Sequence, residues 1–76
     1  MDKKEYGERL LLQMKEQDFS AQALTHVYMA MLRLPEREHR DFLRVMTEAM
    51  EAEPSEEVFV DFVWTVAAEK TPPEQE

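Results

Sequence analysis

Glu57-Val58-Phe59-Val60-Asp61-Phe62-Val63-Trp64-Thr65-Val66-Ala67-Ala68-Glu69 combines the composition of a strand with the spacing of a helix. The β-branched and aromatic runs Val58-Phe59-Val60 and Phe62-Val63-Trp64 favour extended chain. The polar residues Glu57, Asp61, Thr65 and Glu69 recur at intervals of four, which lines them along one helix face. A single strand would have no pairing partner in this chain, so the stretch is read as a helix. Pro54-Ser55 breaks the chain before it, and Glu56 and Glu57 suit a first turn because acids there complement the helix dipole. The expected helix runs over residues 55–70.

Upstream, three more amphipathic segments appear. Residues 3–17 carry Tyr6, Leu10 and Met14 at spacings of four, with Leu11 beside them. Gly7 falls within this helix, where it costs about 1 kcal/mol relative to alanine and is read as a point of fraying. Asp18-Phe19-Ser20 forms a break with Ser20 as N-cap of a second helix over 21–33, whose core stripe is Leu24, Val27, Tyr28 and Met31, widened by Ala30 and Leu32. Leu34-Pro35 ends that helix and starts the next, with Pro35 expected at the first helical position. The third helix, over 35–52, buries Phe42, Leu43, Met46, Ala49 and Met50, with His39 on the same side. Its arginines are expected to pair within the helix, Glu36 with Arg40 and Arg44 with Glu48.

With short turns between them, these segments predict an all-α fold, a compact bundle of four short helices packed as largely antiparallel neighbours. Residues 1–70 make one domain, and residues 71–76 read as a short disordered Pro/Glu tail. One domain is also what 76 residues allow. The chain has no cysteine, which excludes a disulfide framework and a Cys-based zinc site and suggests a reducing, cytoplasmic setting. The single glycine argues against phosphate-cradling loops. No apolar run approaches the roughly 20 residues that span a bilayer, so no membrane association is expected.

Charge and apolar surface concentrate in the last third. Of the net charge of -8, residues 51–76 carry -7 and residues 1–50 carry -1. Glu51 and Glu53 lie at the C-terminal end of the third helix, where they oppose its dipole. Glu56 and Glu57 follow, making an acidic corner that helix stability does not favour. The last helix has only a narrow polar stripe, with Phe59, Phe62, Val63 and Val66 on one side and Val60, Trp64 and Ala67 or Ala68 on the other. Three short helices are expected to cover it incompletely, which points to a homodimer through this helix. The expected partner-binding residues are Val60, Trp64, Glu51, Glu53, Glu56 and Glu57, facing a protein with a basic surface.

No catalytic constellation emerges. Ser20 and Ser55 are explained as helix starts, and nothing ties His26 or His39 to either. Glu36 and His39 have the Glu-x-x-His spacing of a di-iron ligand pair, but the chain supplies only one such pair. No enzyme activity, metal or cofactor is expected. The acidic chain also argues against direct nucleic-acid binding. Leu34-Pro35-Glu36-Arg37-Glu38 followed by Phe42-Leu43 resembles the opening of the DNA-binding region of bacterial sigma factors, without the recognition helix that follows it there. The expected role is a small regulatory or adaptor protein acting through its apolar C-terminal helix and acidic turn. The alternative is an acidic nucleic-acid mimic, of phage or plasmid type, that blocks a DNA- or RNA-binding protein.

Overall fold

The computed structural model describes residues 1–71. Four helices account for most of them: α1 (Lys3–Glu16), α2 (Ala21–Leu32), α3 (His39–Met50) and α4 (Glu56–Lys70), with a 3-10 turn (Glu36–Glu38) leading into α3. No strand occurs among the described residues, and the disputed stretch is helical throughout. Burial of Phe59, Val63, Val66 and Ala67 on one face outweighs local β propensity there.

The third segment departs most from expectation. Pro35 has ψ 149 and lies outside the helix rather than at its first position. The Glu38 N–H donates to the Pro35 carbonyl at 2.9 Å, closing a tight turn before regular α-helix begins at His39. His39 then ties this turn together, because its Nε2–H reaches the carbonyls of Met31 at 2.8 Å and Leu34 at 3.1 Å. The Met31 carbonyl, in the last turn of α2, also accepts from the Leu34 N–H at 3.0 Å, so the ring reinforces a closure the backbone has already begun. The proposed tail lies, from Pro72 on, outside the described residues.

The helix ends explain the short turns. Asp2 and Glu5 form a capping box on α1, with reciprocal bonds of 2.9 and 3.0 Å. At the other end Asp18 takes φ 63, its N–H meets the Lys15 carbonyl at 3.0 Å, and the Phe19 N–H meets Met14 at 2.9 Å. This is the paired closure of a Schellman motif, with aspartate in the position that glycine usually fills. Ser55 caps α4 by accepting from the Val58 N–H at 3.2 Å. Ser20 stands at the start of α2 but makes no side-chain cap there. Its hydroxyl and its N–H both donate to the Glu56 carboxylate, the latter at 3.0 Å, linking the start of α2 to the start of α4.

The closest helix pairs are α1 with α3 and α2 with α4, so alternate helices, not consecutive ones, make the tightest contacts. Both pairs run parallel. Lys3 meets Glu36 and Gln17 meets Met50 along the first; Ser20 meets Glu56 and His26 meets Trp64 along the second. This corrects the expectation of antiparallel neighbours packing most closely. Ala23, Ala30 and Ala67, all buried, provide the small side chains that let α2 and α4 approach. Between the two pairs lies one core, with Phe42, Met46, Phe59 and Val63 at 0% exposure. Tyr28, expected in the core, is instead exposed, because α2 turns Ala23, Val27 and Ala30 inward.

Removing one central ring tests how far this core carries the fold. Phe42→Ala should lose about 3–5 kcal/mol in urea denaturation, a large share of what so small a domain has. Gly7→Ala should act in the opposite direction. A Cβ at Gly7 would meet only the Leu43 Cδ1 at 3.9 Å, an ordinary contact, so the gain in helix propensity of about 1 kcal/mol should appear in full.

Candidate interaction surface

The six residues expected to meet a partner fall into separate environments. Trp64 and Val60 are half-buried, turned towards α2. The Trp64 Nε1–H donates to His26 Nδ1 at 3.0 Å, and the Arg33 guanidinium lies over the indole ring, 5.5 Å from its centre. Accepting through Nδ1 requires the uncharged His26 ring with its proton on Nε2. The Trp64 side of α4 is thus partly covered within the chain, with Val60 and Trp64 each also lining a surface cleft. Glu56 is likewise engaged internally, and the Ser20 hydroxyl and backbone N–H hold its carboxyl below the usual range.

Glu51, Glu53 and Glu57 remain exposed, with no Lys, Arg or His within 4 Å among the described residues. Glu57 lines the cleft between α2 and α4 with Glu56, Gln22 and His26, whereas Glu51 and Glu53 stand in the chain on either side of Ala52, which with Ala49, Pro54, Val58, Phe59 and Phe62 lines a wholly apolar pocket of about 230 Å³. Val58 at 58% and Phe62 at 37% exposure form its outer wall. Phe62, expected on the same side of the helix as Phe59, is exposed while Phe59 is fully buried. The apolar surplus of α4 is thus real but lies one stripe away from Trp64.

Glu53 is held in an unfavourable conformation. It takes φ 54, and its N–H closes the turn on the Met50 carbonyl at 2.9 Å. The left-handed region costs a side-chain-bearing residue roughly 1–2 kcal/mol relative to glycine. Its carboxylate also sits just beyond the negative end of α3. Two local penalties thus meet at one exposed acid.

The opposite end of the bundle has a different charge. There the Lys70 ammonium meets Asp41 at 2.7 Å and Glu38 at 3.3 Å, and Arg44 bridges Asp41 to Glu48, the latter at 3.1 Å. The Lys70 hydrogen bond, with that of Arg44, pulls the Asp41 carboxyl from 3.8 down to about 2. Arg44 pairs with Glu48 as expected, whereas Glu36 pairs with Lys3 at 3.6 Å and Arg40 reaches the Met1 carbonyl at 3.4 Å. Glu36, Glu38 and Asp41 at this end are thus engaged in ion pairs, while Glu69, Arg33, Arg37 and Arg40 are exposed and have no oppositely charged side chain within 4 Å among the described residues. Beside Arg33 stands Leu32, 84% exposed. Its place on the second helix's apolar side gave no hint of this, because only the packing of α2 on α4 decides which apolar residue is left over.

No family model, curated protein or solved structure matches the chain. Chemistry has little to work with among the described residues. No cluster of three or more metal-ligating side chains occurs, and the Nε2 of His39 is committed to backbone carbonyls. No helix is long and apolar enough to cross a membrane. The features that stand out are apolar surface and charge, not a reactive group.

Two ties can be tested directly. Asp41→Asn should cost up to about 1 kcal/mol at neutral pH, since the Asp41 side chain is 43% exposed and solvent screens the ion pairs. Because its carboxyl is lowered in the folded state, this contribution is present above the ordinary carboxylate value of 3.8 and is lost as pH falls from there towards 2. Denaturation curves of wild type and variant should accordingly converge over that interval. His26→Ala leaves the Trp64 N–H without its partner and should cost about 1 kcal/mol, with a change in the emission of this single tryptophan.

Proposed function

We propose that this protein is a small non-enzymatic adaptor or regulator, working in the cytoplasm by contact with another protein. Its docking surface is the corner where α3 meets α4. The observation that carries this reading is the apolar pocket walled by Val58 and Phe62, with the exposed Glu51 and Glu53 on either side of its lining residue Ala52 in the chain. A pocket of this kind takes an apolar side chain, and these two carboxylates select one presented next to basic residues. The partner is therefore a protein segment in which a large aliphatic or aromatic residue is accompanied by arginine or lysine. Desolvation of the pocket supplies the attraction, at about 25 cal/mol per Å² of apolar area covered, and the acids supply orientation and speed of encounter.

The cost borne at Glu53 supports the same reading. Glycine would suit its backbone better and would remove a charge opposing the helix dipole, so stability alone does not account for glutamate there. Residues held against local preference recur at functional positions.

Glu53→Gly separates the two roles. It should raise stability by up to about 1 kcal/mol in thermal or urea unfolding, since it relieves the left-handed strain. As immobilised bait it should nevertheless recover less partner from lysate of the source cell, and Phe62→Lys should recover almost none. Recovery of the same proteins in equal amounts by wild type and both variants would overturn the reading.

A further inference from the structure

From the two ends of the bundle we infer that the chain binds a second copy of itself head to tail, with Leu32 of one copy seated in the α3–α4 pocket of the next. This rests on the reading of that pocket as a docking site and names a partner for it. The pocket asks for an exposed apolar side chain next to basic residues, and the opposite end of this same molecule presents one. Leu32 is the most exposed large apolar residue among those described, and Arg33 follows it directly. Arg37 lies just across the Leu34-Pro35 turn and is also exposed.

The topology sets these two features at opposite ends. Helix α2 ends at Leu32 where α3 begins and where Lys70 of α4 meets Glu38 and Asp41. The pocket lies at the other end, where α3 finishes and α4 starts. The charges follow the same division. Glu51 and Glu53 adjoin the pocket-lining Ala52 in the chain, Glu57 stands at the same end in the cleft between α2 and α4, and Glu16 and Asp18 close α1 there, with Lys15 the cation beside them. At the Leu32 end the carboxylates of Glu36, Glu38 and Asp41 are matched by Lys3, Lys70 and Arg44, which leaves three exposed arginines, Arg37, Arg40 and Arg33 over the Trp64 ring, against one unpaired acid, Glu69. Stacking the molecules end to end brings those arginines against the acidic end while Leu32 enters the pocket. Each copy buries one projection and fills one pocket. The self-association expected for the last helix is thereby taken to Val58 and Phe62, away from Trp64.

A contact between unlike surfaces leaves one free end of each kind, so it extends into chains unless geometry closes a ring. It also weakens with salt, because the charges that face each other lie at the solvent boundary.

The test mixes two variants of the full chain. Leu32→Gln removes the projection and leaves the pocket, and Phe62→Lys spoils the pocket and leaves the projection. Both positions lie on the solvent side of a helix, and circular dichroism and urea unfolding confirm that each variant folds. In sedimentation velocity, wild type should show a mass rising with concentration through the high micromolar range and falling with added salt. Each variant alone should associate at least tenfold more weakly. Their equimolar mixture should regain one contact and stop at a dimer containing one molecule of each, since neither free end can be extended. A wild type that stays monomeric overturns the inference, as does a wild-type dimer that either variant still forms by itself. If wild type is monomeric while the Phe62→Lys bait still loses partners that wild type recovers, self-association falls and the docking role of the pocket stands. Unchanged recovery by Phe62→Lys, together with a monomeric wild type, removes both.

Discussion

The parallel packing of α2 against α4 is the contact on which the rest of the molecule depends. It is possible because α2 brings alanines, Ala23 and Ala30, to the interface, and α4 brings Ala67 between its larger core residues. Small side chains allow the two backbones to approach, so Phe59 and Val63 reach complete burial in a chain too short to surround a helix with bulky neighbours. The approach also brings polar groups together along its length. Ser20 meets Glu56 at one end, His26 meets Trp64 in the middle, and Arg33 covers the indole beyond it. These ties set the rotation of α4 about its axis. That rotation turns Trp64 inward and leaves Val58 and Phe62 outward.

The turns impose a second constraint. Three of the four helix ends that face the α1–α2 and α3–α4 connections are closed within a few residues, and two of those closures use left-handed residues that are not glycine, Asp18 and Glu53. Aspartate tolerates this conformation comparatively well, and at Asp18 the complete Schellman pairing repays part of the cost. At Glu53 the next residue is Pro54, which has no N–H to complete that pairing. The acidic corner is thus less well satisfied than its counterpart after α1, although both form turns at the same end of the bundle.

Charge is distributed along the bundle axis as well as along the chain. The acids of residues 51–57 lie at one end, and the arginines between Arg33 and Arg40 at the other. The charge imbalance of the sequence describes only part of this, because it counts Glu36, Glu38 and Asp41 equally with Glu51 and Glu53. Ion pairing neutralises the first group locally and leaves the second facing solvent. The charge available to a partner is therefore set by which cations the fold brings near, with Lys70 the plainest case: it lies in the acidic third of the chain yet serves Asp41 and Glu38 of the preceding segment.

The sequence by itself determined the helical class, the four segments and nearly all their boundaries, because periodicity, caps and proline act within a few residues of one another. It also located the acidic corner, since opposition of Glu51 and Glu53 to a helix dipole is a local property. Tertiary structure alone decided which helices pair, which way α4 is rotated, and hence that Trp64 is half-buried against α2 while Leu32, Val58 and Phe62 are exposed. Helical periodicity ranks apolar residues by face but cannot choose between adjacent apolar stripes on a helix as evenly apolar as α4. That choice belongs to the alanines of α2, more than thirty residues away in the chain, whose small size determines how closely and in what orientation the two helices meet.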